Sequence, residues 1–234
     1  MITVRKSEER GHADHGWLDS YHTFSFANYH DPAHMGFRSL RVINQDKVEG
    51  GRGFGAHAHR DMEILTYVLA GKLAHKDSMG HTELLGPNEI QKMSAGSGVV
   101  HSEFNGDEQE TVRFFQIWIE PKTRGTKPNY EQLAFAAEEK QNRFKLLASP
   151  VTTEGAATIN QDVKVSVAEL EPGKSLSYEL GASRYAWLHV IDGAISVNGT
   201  ALKAGDAVAV EKEPALEIAA QGSAKSEILL FDLV

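Results

Sequence analysis

Two short stretches carry the side chains best suited to chemistry: Gly55-Ala56-His57-Ala58-His59 and Gly98-Val99-Val100-His101-Ser102-Glu103. Successive residues of a strand point to opposite faces, so residues two apart share one. His57 and His59 then sit about 7 Å apart along one face, and the small Ala58 lies between them. His101 and Glu103 repeat the spacing with an imidazole and a carboxylate. One such pair arises readily by chance. Two pairs, each preceded by glycine, point to a single ion gripped by three neutral nitrogens and one anionic oxygen. That donor set suits Fe(II), Ni, Co, Mn or Zn. Four protein ligands leave an octahedral metal open positions for water, substrate or dioxygen, as a catalytic site requires. Glu63, four residues beyond His59, also falls on the same face of a straight strand. It stays open as a substitute ligand or a carboxylate supporting the ligands.

The remaining histidines of the eleven (His12, His15, His22, His30, His34, His75, His81 and His189) read as surface or hydrogen-bonded structural residues.

Strands must position these groups. Segments rich in Val, Ile, Phe and Tyr, such as 39–44, 63–69, 113–119, 163–170, 187–191 and 227–233, alternate with Gly, Asn and Asp punctuation. Only Tyr130–Lys140, rich in Ala, Glu and Gln, predicts a helix. Closely spaced short strands with few helices predict an all-β barrel or sandwich. The polar stretch Pro121–Asn129 reads as the start of a linker. The halves on either side share a pattern: Thr66–Gly71 and Leu188–Gly193 each end an apolar strand at a glycine. Each is followed by a hairpin and a corner, Leu85–Glu89 or Lys203–Asp206. Such repetition predicts a duplicated barrel.

Composition narrows the function classes. With no cysteine among its 234 residues, the chain has no disulfides, thiolate metal sites or cysteine nucleophile. A formal charge of −8 disfavours direct nucleic-acid binding. The first twelve residues are charged and lack the apolar core of a secretory signal. No apolar run is long enough to cross a bilayer, and a cytoplasmic protein is expected.

At the histidine pairs the sequence resembles the cupin superfamily. Its first motif, Gly-X5-His-X-His-X3-Glu-X6-Gly, is met by Gly51, His57, His59 and Glu63, with Gly71 one residue late. Its second, Pro-X-Gly-X2-His-X3-Asn, is met by Gly98, His101 and Asn105, with Gly96 in place of proline. The stretches HTFSFANY (22–29), MGFRSLRVIN (35–44), GFGAHAHRDMEILTYVLAG (53–71) and MSAGSGVVHSE (93–103) look like the pirin family, in particular its bacterial quercetin 2,3-dioxygenase-like members.

The resemblance implies a bicupin. A metal-binding jelly-roll-like cupin domain over 1–135 would include the start of the linker, and a degenerate cupin without metal would occupy 136–234. It also implies Glu103 rather than Glu63 as the fourth ligand. The implied activity is metal-dependent cleavage of flavonols such as quercetin by dioxygen, with release of carbon monoxide. Fe(II) is the first choice of metal, and Glu103 would act as general base toward the 3-hydroxyl. Phe54, Phe114 and Phe115 are candidates to stack on a flat substrate. The family's eukaryotic members imply a second reading, a metal- or redox-sensing regulator acting through protein partners. A monomer is expected, since duplicated domains can cover each other.

Overall fold

The computed structural model describes residues 1–234. The strands are β1 (Ile2–Arg5), β2 (Gly11–Asp14), β3 (Leu18–His22), β4 (Leu40–Val48), β5 (Gly53–His59), β6 (Glu63–Ala70), β7 (Leu73–Asp77), β8 (Thr82–Leu85), β9 (Glu89–Ser94), β10 (Val99–Asn105), β11 (Val112–Ile119) and β12 (Asn129–Ala134). There follow β13 (Lys145–Ser149), β14 (Ala157–Thr158), β15 (Val163–Leu170), β16 (Ser175–Glu179), β17 (Tyr185–Asp192), β18 (Ala194–Val197), β19 (Thr200–Lys203), β20 (Ala207–Glu211), β21 (Ala215–Ala220) and β22 (Ser226–Leu233). The helical elements are two 3-10 turns, Ser7–Glu9 and Ala137–Glu139, so no helix is long and apolar enough to cross a membrane.

The chain forms two compact units. One comprises residues 11–135 with 159–161; the other comprises 1–10, 136–158 and 162–234. In the first, a seven-stranded sheet β12-β9-β6-β11-β4-β3-β2 accompanies a four-stranded sheet β5-β10-β7-β8. In the second, the orders are β1-β20-β17-β22-β15-β13-β14 and β16-β21-β18-β19. The series β4 to β11 and β15 to β22 therefore repeat one connectivity, which accounts for the repeated sequence pattern. The N-terminal strand β1 takes in the second unit the edge position that β12 takes in the first.

The helix expected over Tyr130–Lys140 is absent. Asn129–Ala134 instead pairs antiparallel with β9, and only Ala137–Glu139 makes a helical turn. The open edge of β9 offers backbone partners along Asn129–Ala134, and helix propensity is too weak a preference to compete.

The central strands explain the core. β6 is buried over its first six residues, as befits a strand covered on both faces. In the first unit the apolar interior divides around a polar middle. Ile64, Met93, Ala95 and Val99 cluster to one side; Val48, Leu73, Leu85, Val112 and Phe114 cluster to the other. In the second unit the inner strands instead carry Leu176 and Tyr178 on β16 and Leu216 and Ile218 on β21. These join one continuous apolar core.

Candidate metal centre

The strands β5 and β10, which carry the candidate ligands, pair antiparallel with His101 directly opposite His57. A bulge between His101 and Glu103 then sets Glu103 opposite Phe54. The three imidazoles converge: ring centroids are 4.8 Å apart for His57–His59, 4.4 Å for His57–His101 and 4.9 Å for His59–His101. One nitrogen from each lies within 4.8 Å of the others. His57 Nδ1 donates to the Gly55 carbonyl at 2.8 Å, which leaves Nε2 with a free lone pair. His101 is 2% exposed, and both of its ring nitrogens are buried without a hydrogen-bond partner. Leaving such a group unsatisfied costs about 1–3 kcal/mol; a metal ion beside three imidazoles would supply the partner.

Burial keeps the His59 and His101 rings neutral. Burial, then the neighbouring His57, pushes His59 down to about 4; burial, then His57 and His59, pushes His101 down to about 3. Neutral imidazole is the form that binds metal. Burial, then the Asp46 carboxylate, pushes the Glu103 carboxyl up to about 7, so the site favours a cation that would restore its charge.

Glu103 is held by a polar row that runs across the seven-stranded sheet. In register, His22 on β3 faces Asn44 on β4, Asn44 faces Gln116 on β11, and Gln116 faces Thr66 on β6. Thr66 faces Gln91 on β9, and Gln91 faces Gln132 on β12. Gln116 Nε2 donates to Glu103 Oε2 at 2.7 Å, and the Thr66 hydroxyl lies 3.4 Å from Glu103 Oε1 and 3.0 Å from Gln116 Oε1. Gln91 Nε2 donates to Thr66 Oγ1 at 3.5 Å, and the Tyr130 hydroxyl lies within reach of Gln91 Oε1 and Gln132 Oε1.

A cavity of about 470 Å³ opens from His57, His59 and Glu103, walled by Phe26, Tyr29, Phe54 and Trp118. Phe54 thus stands where a flat substrate could stack. Phe114 and Phe115 do not: both are fully buried on the central strand β11, outside the cavity wall. They belong to the core because β11 lies between β4 and β6 and is covered on both faces.

Glu63 is not brought to the histidines. The chain turns between β5 and β6, with Asp61 at φ 50°, so His59 and Glu63 no longer share one straight strand. Its carboxylate accepts from the Ser94 hydroxyl at 2.8 Å and from the Asn160 backbone N–H at 3.2 Å.

The structure also brings in His75, read from the sequence as structural. A ligand atom of His75 lies within 4.8 Å of those of His101 and Glu103, and Asp77 binds its Nε2 at 3.1 Å. The signal was a third pair at spacing two, His75-Lys76-Asp77, on the strand beside β10.

Residues 3–119 match the Pirin family, and residues 146–233 match the Quercetinase C-terminal cupin domain. The chain belongs to the pirin family. Over 233 residues, covering 100% of this chain and 99% of the relative, it is 46% identical to an Escherichia coli K12 protein named quercetin 2,3-dioxygenase. It is 40% identical to a pirin-like protein of Caulobacter vibrioides, with 99% of each chain covered. Among solved structures, the bacterial pirin YhhW from Escherichia coli in complex with nickel(II) superposes on this family member with a TM-score of 0.94. That match has 46% identity and covers 100% of this chain and 99% of the other.

Proposed function

We propose that this pirin-family chain is a metal-dependent dioxygenase that opens flavonols such as quercetin with release of carbon monoxide. His57, His59, His101 and Glu103 would hold the metal. The observation that carries the reading is the convergence of three imidazoles beside a buried carboxylate, in a cavity with aromatic walls. The activity named for the 46% identical relative and the nickel(II) complex of the YhhW pirin support it.

Fe(II) is the native ion in this proposal, with Ni, Co or Mn as substitutes; Zn has no redox chemistry of its own. When bound, the metal supplies Lewis-acid activation of a substrate hydroxyl and a route to dioxygen chemistry. The protein supplies the rest. Glu103, its charge restored by the neighbouring cation, would accept the proton of the flavonol 3-hydroxyl. Gln116 and Thr66 fix that carboxylate in place. Phe26, Phe54 and Trp118 exclude water and offer faces to a planar substrate. The second barrel serves as a metal-free support, because its corresponding strands carry Leu176, Tyr178, Leu216 and Ile218 and no imidazole.

The test loads the protein anaerobically with Fe(II), and separately with Ni(II), then adds quercetin and oxygen. Loss of the flavonol absorbance with release of carbon monoxide is expected. A fully metallated protein that leaves flavonols intact sinks the proposal; metal-dependent capture of a protein partner would then favour the sensing reading.

A further inference from the structure

Two buried polar side chains that line the cavity each keep an atom without a hydrogen-bond partner. Asn44 and His22 face each other across β4 and β3 and line the cavity. They are 3% and 4% exposed, yet Asn44 Oδ1 and His22 Nδ1 are buried without a hydrogen-bond partner. Elsewhere the row is satisfied: Gln116, Thr66 and Gln91 bond to one another or to Glu103. One row below, the Ser20 hydroxyl donates to Asp46 at 2.5 Å. The unsatisfied atoms therefore gather at the end of the row remote from Glu103.

Their placement is ordered. With strands about 4.8 Å apart, Asn44 lies about 5 Å and His22 about 10 Å beyond Gln116. Phe26 packs edge-on against the His22 ring at 5.3 Å and Tyr29 lies at 6.4 Å, so the imidazole is held rather than free to swing. Burial lowers its proton affinity, and a neutral ring can donate or accept. Buried polar groups without partners are rare in native proteins, and two neighbouring residues that line one cavity each carry one.

We propose that Asn44 and His22 form a hydroxyl-recognition subsite for the end of the substrate away from the metal ligands. It selects polyhydroxylated aromatics over analogues that lack remote hydroxyls. A phenolic O–H donates to Asn44 Oδ1, and a second hydroxyl pairs with His22 Nδ1, while the Phe26 and Trp118 rings contact the planar body between the two ends. The inference rests on the flavonol reading and adds to it the feature that sets selectivity.

The test compares quercetin with 3-hydroxyflavone, which keeps the metal-side hydroxyl and lacks the others. Binding to the Ni(II)-loaded full chain is followed anaerobically by quenching of tryptophan fluorescence. Each hydrogen bond to a neutral group is worth about 3- to 10-fold in affinity. The wild type should therefore favour quercetin by about 10- to 100-fold, and Asn44→Leu and His22→Phe should each cut that ratio by about 3- to 10-fold. Should Asn44→Leu fail to fold, Asn44→Ala gives the same comparison. A preference that survives in both single variants overturns the subsite while leaving the flavonol reading standing. A wild type that binds neither compound overturns both.

Discussion

Gln116 shows how much of the site rests on a side chain that touches no metal. Its amide donates to Glu103 Oε2 at 2.7 Å, while the Thr66 hydroxyl lies 3.4 Å from Oε1. Gln116→Leu would leave Glu103 buried beside a weaker partner and free to rotate. Loss of such a supporting partner typically costs 10- to 100-fold in metal affinity, and about that loss is expected here. Competition against a chelator measures it, with circular dichroism confirming that the sheet persists. Glu103→Gln keeps the shape and removes the base. Flavonol turnover should then fall by about 10²- to 10⁴-fold, read as the rate of absorbance loss in protein whose metal content matches the wild type. Turnover retained at equal metal loading would exclude Glu103 as the base.

The pairing of β5 with β10 is the element on which the cluster depends, because it carries His57, His59, His101 and Glu103 together. At its far end a glycine permits close approach: a Cβ on Gly53 would stand 2.3 Å from the Glu103 carbonyl oxygen and 2.5 Å from the Phe104 Cα. These are backbone atoms, which cannot swing aside. Gly53→Ala should therefore shift β5 against β10 and lower the metal retained per chain, although the residue touches no ligand side chain. Metal analysis after gel filtration checks this; full retention would show that the pairing tolerates the shift.

Stability ties the whole chain to metal and to pH. Any ion bound only by the folded state stabilises it, by about 2.7 kcal/mol at a hundredfold excess over Kd. At about 2–4 °C per kcal/mol for a chain of this size, chelation should lower Tm by about 5–10 °C. The corresponding strands of the second barrel, β16 and β21, carry Leu176, Tyr178, Leu216 and Ile218, so one metal per chain is expected. The second barrel also buries His189, whose imidazole is pushed from 6.5 down to about 3 by burial and then by Arg10. Below pH 6.5 the unfolded chain takes up a proton that the folded chain refuses until about pH 3. This contribution is complete above pH 6.5 and is lost as pH falls through that window. Urea midpoints of metal-free protein should accordingly drop from pH 7 to pH 5, and His189→Leu should flatten the drop.

The imidazole pairs were legible in the residues alone because a strand's two-residue period is local. His57 with His59, and His101 with Glu103, need only their own segments to be extended. The repeated strand patterns of the two halves were legible for the same reason. The choice between Glu63 and Glu103 was not, since a turn at Asp61 separates one carboxylate from the histidines. Nor was the assignment of Phe114 and Phe115 to the core, which follows from the central place of β11. Tyr130–Ala134 joined β9 against its own composition, and β1 joined a sheet built from the other end of the chain. The polar row from His22 to Gln132 is the furthest from local reading. Its six residues lie on six strands and meet only through five registers. Register is set by pairing between distant segments, and a shift of one residue would turn each side chain to the opposite face. Sequence thus determined which groups could grip a metal, while long-range strand pairing decided what holds Glu103 and what lines the cavity.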